Sequence, residues 1–94
     1  MAERVGLTGD VHPTILLAVP EPLSRLRVAD AGVVTAIEGE GSMSVRLLEM
    51  GFVPGTRVQV VKIAPLGDPL ELRVRGYHVS LRRAEASKVL VKRA

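Results

Sequence analysis

The sequence contains no cysteine and no tryptophan, and its only aromatic residues are Phe52 and Tyr77. The first absence excludes disulfides, thiolate metal sites and cysteine nucleophiles, and leaves the redox compartment open. The second means that Val, Leu, Ile and Ala must fill any core. It also removes the aromatic platforms on which single-stranded nucleic-acid binders stack bases, so a nucleic-acid partner is not expected. Long hydrophobic runs are missing as well. The run Thr14 to Val19 is too short to span a bilayer and lacks the basic flank of a secretory signal. The expectation is a soluble, cytoplasmic chain without direct membrane insertion.

At 94 residues the chain has room for one small domain. Its net charge of +3 conceals an asymmetry: residues 1–40 carry six acids against three bases, and residues 41–94 carry ten bases against four acids. The swing from −3 to +6 leaves the second part basic. Such a half is a solvated face or a recognition surface, with Arg73, Arg75, Arg82 and Arg83 as its expected members.

The chain is organised around Ser42 to Gly55, a short helix, a stop and a turn into a strand. Val45 and Leu48 stand three apart, as do Leu47 and Met50, which gives an apolar stripe at helical spacing with Arg46 and Glu49 toward water. Ser42 or Ser44 can cap the start. Gly51 falls where a helix turns left-handed to end, and Phe52 falls where the apolar contact of such a cap reaches back to Leu47. Val53-Pro54-Gly55-Thr56 has the residues of a type II turn, proline presetting φ and glycine accepting a positive one.

Met1 to Pro22, with scattered charges, prolines and glycines, reads as an arm that is flexible or packs on the domain or on a second copy, so a homodimer is one expectation. Leu23 and Leu26 can face inward from a single helical turn. Asp30-Ala31-Gly32 is turn chemistry before a first strand at Val33 to Ile37. Thr56 to Ala64 alternates until Val61, where the parity slips as at a bulge. After the loop Pro65 to Pro69, Leu70, Leu72 and Val74 alternate with charged residues. A hairpin about Gly76 leads to a strand expected to turn Tyr77, Val79 and Leu81 inward and His78, Ser80 and Arg82 outward. A helical turn at Arg83 to Ser87 and a last strand at Val89 to Val91 follow. The order describes a mainly β chain with short helices, a small antiparallel barrel of about five strands with a helix between the first two.

No catalytic constellation is present. Gly39-x-Gly41 lacks the remainder of a phosphate loop, and neither His12 nor His78 neighbours a carboxylate in a pattern that would make it a base. An enzyme is not expected. His12, His78, Glu38, Glu40, Asp68 and Glu85 could coordinate a hard or borderline metal ion, but none pairs at helical ligand spacing. His78 and Glu85 are the nearest to candidates for a divalent transition metal. No other cofactor is implied.

Three blocks in order, Arg46 to Thr56, Pro65 to Leu70 and Leu81 to Ala86, resemble the FeoA family. The resemblance covers Pro22 to Val91. It implies an SH3-like barrel over residues 23–94, preceded by the arm at 1–22, and a non-enzymatic cytoplasmic accessory to FeoB, the membrane ferrous-iron transporter with a GTPase domain. The partner would recruit it to the inner face of the membrane. The alternative is a metal-binding or metal-sensing domain like the C-terminal barrel of iron-dependent repressors. Arg46, Leu47, Met50, Gly51, Pro54 and Gly55 fill the helix-turn signature, and Gly67, Asp68 and Pro69 the loop. Leu47 and the glycines and prolines, with Asp68, are explained by architecture. A partner-binding patch is therefore expected on Arg46, Met50, Phe52, Val53 and Arg57.

Overall fold

The computed structural model describes residues 19–94. Residues 1–18 of the expected arm, His12 among them, lie outside the described residues. Nine elements follow in order: β1 (Glu21–Pro22), a 3₁₀ turn (Leu23–Arg25), β2 (Ala31–Ile37), α1 (Ser42–Glu49), β3 (Arg57–Ile63), β4 (Leu70–Val74), β5 (Tyr77–Leu81), α2 (Arg83–Ala86) and β6 (Val89–Arg93). The six strands form one antiparallel sheet in the order β1-β6-β2-β3-β4-β5. One strand exceeds expectation because Glu21 and Pro22, at the end of the expected arm, pair with Val91 and Leu90.

The core is aliphatic around one aromatic ring. Leu23, Leu26, Val34, Leu47, Phe52, Val58, Val60, Leu70, Leu72, Val74, Leu81, Ala86, Val89 and Val91 form a single buried cluster. Alternation along β4 puts Leu70, Leu72 and Val74 inside. The parity slip in β3 is a register shift between Val60 and Lys62. Leu23 and Leu26 face inward as their spacing predicts.

The centre of the chain folds as its local chemistry dictates. Gly51 adopts φ 111° beyond the last helical residues. The Phe52 N–H donates to Leu47 O at 3.1 Å and the Gly51 N–H to Leu48 O at 3.0 Å, a Schellman ending with Phe52 packed back over Leu47. The Thr56 N–H then donates to Val53 O at 3.1 Å, closing the Pro-Gly turn with Gly55 at φ 93°.

Four local expectations are corrected. The turn before β2 lies at Val28 and Ala29, with Ala29 at φ 80°, whereas Ala31 and Gly32 are already strand. Gly32 serves a close approach instead: a Cβ there would stand 2.9 Å from Lys92 O on β6. Neither serine caps α1; the N-cap is Gly41, and the Ser44 hydroxyl donates to Gly39 O at 3.0 Å, bracing the loop. Tyr77 is 73% exposed, because it begins β5, an edge strand of the sheet, beside the hairpin turn where nothing covers its ring. Arg75 lies in that turn rather than the strand, at φ 52° before Gly76 at 83°.

Arginines fasten the ends of the sheet. Arg83 donates from Nε to Gly67 O at 2.7 Å and from Nη1 to Ser24 O at 2.7 Å, and its backbone N–H meets Asp68 Oδ1 at 3.0 Å. This joins α2 to the 65–69 loop and the 3₁₀ turn. Arg93 bonds both carboxylate oxygens of Glu21 and, at 2.9 Å, Asp30 Oδ2. Asp30 also accepts from the Arg27 N–H at 2.9 Å. That backbone hydrogen bond, with the Arg93 guanidinium, holds the Asp30 carboxyl below its ordinary range, and the two carboxylates raise Arg93 further.

Candidate functional site

The surface of α1 divides into three parts. Leu47 is buried, Met50 is half-buried against the core, and Val45 and Leu48 are exposed at 54% and 42%. An eight-residue helix can turn only one narrow stripe inward, and Leu47 takes it. Val45 and Leu48, three apart, form an outward apolar stripe, with Met43, also exposed, on the other side of Leu47. Phe52, expected at an exposed patch, is fully buried, because the helix ending swings it under Leu47. Val53 is half-buried.

Arg46 pairs with Glu85, which also accepts from the Arg82 N–H at 2.9 Å. Glu85 is only 7% exposed. Its two oxygens are occupied in holding α1 to the start of α2. Leu66, almost wholly exposed at the loop tip, with Asp68, Pro69, Ser80 and Arg82, lines a cleft beside this pair.

Arg57 belongs elsewhere. With Arg73 and Arg75 it lines a second cleft, floored by Pro54, Gly55 and Thr56. The expected partner residues therefore do not form one patch: Phe52 lies within the core, and Arg46 and Arg57 face different clefts. The expected basic face also divides. Arg73 and Arg75 stand at the hairpin turn, Arg82 lies beyond the far end of β5, and Arg83 is taken up by carbonyls. His78 stands directly across from Arg73, a cationic neighbour that disfavours a metal there. Among the described residues, no group of three His, Asp or Glu side chains is placed to hold a metal ion. No helix among them is long and apolar enough to cross a membrane.

Sequence reasoning missed Met43 as a surface residue and Thr56 as an arginine partner. The first was signalled by the shortness of α1, and the second only becomes visible once β3 and the β4–β5 turn are brought together.

The fold defines a class: a small SH3-like antiparallel barrel in which a helix and a Pro-Gly turn join the second and third strands. The FeoA domain matches residues 21–93, and the chain belongs to the FeoA family. It is 48% identical over 69 residues to the Fe(2+) transport protein A/Fe(2+) transporter FeoB fusion protein of Porphyromonas gingivalis, covering 73% of this chain and 8% of that one. The chain thus spans less than a tenth of that relative's length. Among solved structures, it is similar to a FeoA-like protein from Clostridium acetobutylicum, with a TM-score of 0.75, 35% identity and coverage of 79% and 86%. It is also similar to Stenotrophomonas maltophilia FeoA complexed with zinc, an SH3 domain protein, with a TM-score of 0.65, 34% identity and coverage of 73% and 86%. The family is linked to FeoB ferrous-iron transport.

Proposed function

We propose that this domain is a non-enzymatic accessory of ferrous-iron transport that docks on the cytoplasmic part of a FeoB-type transporter and modulates uptake. The observation that carries the reading is the Porphyromonas gingivalis relative, in which a segment 48% identical to this chain is joined to FeoB in one polypeptide. Covalent fusion gives two modules a high effective concentration, which is of use where they work together.

The α1 face is the surface assigned to docking. Val45 and Leu48 supply its exposed apolar stripe, and Met43, an adaptable side chain, borders it across Leu47 in a cleft shared with Arg46. Met50 and Val53, both half-buried, contribute at most their rims. The Arg46 side chain remains 63% exposed while paired with Glu85, which leaves its charge open to a partner.

The test is calorimetric titration of the chain into the isolated cytoplasmic domain of its cognate FeoB, with and without GTP analogue and ferrous ion. Saturable binding is expected, and Val45→Asp with Leu48→Asp is expected to abolish it while far-UV CD and the melting temperature stay near wild type. Both positions are exposed, so the fold tolerates the charges. Undiminished binding by the double variant overturns the surface; no binding under any condition overturns the partner.

A further inference from the structure

We propose that the cleft between the Pro54-Gly55 turn and the β4–β5 hairpin binds a polyphosphate group, either free or as the tail of a nucleotide. Arg57 at the start of β3, Arg73 on β4 and Arg75 in the hairpin turn line one open cleft of about 540 Å3. That size lies within the range of about 300–1,000 Å3 common to small-ligand sites. Gln59 stands directly across from Arg73 and lines the cleft with its amide nitrogen donating to Ala29 O at 3.3 Å. The cleft shares no lining residue with those bordered by Arg46, so it stands apart from the surface assigned to FeoB docking.

Arg46, Arg83 and Arg93 are matched to protein acceptors: Glu85, the carbonyls of Gly67 and Ser24, and the carboxylates of Glu21 and Asp30. Among the described residues, the cleft arginines pair with no carboxylate, and the one side-chain hydrogen bond any of them makes runs from Arg75 Nη2 to Thr56 Oγ1 at 3.2 Å. Among the described residues, the side chains of Arg25, Arg27 and Arg82 meet no carboxylate either, and what sets Arg57, Arg73 and Arg75 apart is that they line one cleft together. Three like charges gathered with no carboxylate partner among the described residues repel one another, and an anion in their midst removes that repulsion.

Arg75 carries a second, independent sign. The turn has positive φ at both central residues, 52° and 83°, where Asn, Asp or Gly is the unstrained choice. An arginine there costs backbone strain. Its guanidinium is nevertheless held by the hydroxyl of Thr56, a residue only 6% exposed, so the charge is aimed over the cleft before any ligand arrives. The planar fork of a guanidinium matches phosphoryl oxygens two at a time, and three such forks suit a ligand of several charges. A single carboxylate leaves two of them unmatched.

The experiment titrates the full chain with sodium pyrophosphate, GTP and a hexaglutamate peptide at low ionic strength, by calorimetry and thermal melting. Pyrophosphate is expected to bind saturably, to raise the melting temperature and to weaken as salt is added. Arg73→Gln should lose about tenfold in affinity. Arg75→Gly, which suits the turn better, should lose as much while melting no lower than wild type without ligand. GTP binding tighter than pyrophosphate identifies a nucleotide as the source, and equal affinity a free polyphosphate; either supports the site. Absence of saturable binding by both, undiminished binding by both variants, or hexaglutamate matching pyrophosphate overturns it, the last because the face then reads charge alone.

Discussion

At the scale of single residues, the arginines show how one side chain acquires different work from its position. Arg83 is half-buried and donates to two carbonyls from separate segments, one of them 59 residues away in sequence. Losing it leaves Gly67 O and Ser24 O without these donors and frees the 65–69 loop from the 3₁₀ turn. Arg83→Ala is expected to destabilise the fold by about 2–3 kcal/mol, since each bond is charge-assisted and partly shielded. Chemical denaturation checks this, and a midpoint within error of wild type removes the staple from the account. Arg83→Lys should recover little, because one ammonium cannot reproduce the forked geometry. None of this was legible from the residue's place in a basic run. The same limit applies to Arg46 and Glu85, which lie 39 positions apart: charge pattern shows that a side chain is cationic, and only the fold shows what it meets.

At the scale of elements, legibility follows the range of the interaction. The end of α1, the Pro-Gly turn, the hairpin at Gly76 and the bulge in β3 were readable because each is decided within a few residues by φ preference or alternation. Gly51 is the sharpest case. At φ 111° an alanine would be strained, while its Cβ would stand 3.4 Å from Val74 Cγ1, so backbone strain outweighs the clash. Gly51→Ala is expected to cost roughly 1–2 kcal/mol, read as a lower denaturation midpoint with unchanged secondary structure. An unchanged midpoint would mean that the left-handed ending is not what holds α1. What stayed hidden was burial. Phe52 belongs to both a cap and an apolar run, and the cap alone determined which way its ring went; Tyr77 alternates as an inward residue, yet beside the hairpin turn its ring stays 73% exposed while Leu81 at the other end of β5 is buried. The candidate docking face changed accordingly, from Met50 and Phe52 to Val45, Leu48 and Met43.

At the scale of the whole molecule, the charge asymmetry of the sequence turns out to be partly structural. Glu21 and Asp30, from the acidic part, meet Arg93 near the end of the chain, so opposite charges gather the start of β1 and the approach to β2 onto β6. Of the described basic side chains that remain without such a partner, Arg57, Arg73 and Arg75 share one cleft. This closure predicts a pH dependence with a definite sign. The folded Asp30 carboxyl titrates below its ordinary value, first through the Arg27 N–H and then through Arg93, so the folded state binds its proton less readily than the unfolded state. Its contribution is therefore complete above the unfolded value, about 4, and is lost as pH falls through the lowered folded value. Thermal melts of wild type and Asp30→Asn should show a constant gap above about pH 5 that closes toward pH 2. Added salt should shrink the Arg93 part of that gap, because the pair is open to solvent, and leave the Arg27 hydrogen-bond part in place. A gap independent of pH would show that Asp30 acts through its shape and not its charge, and the closure of the sheet would then rest on Glu21 and Arg93.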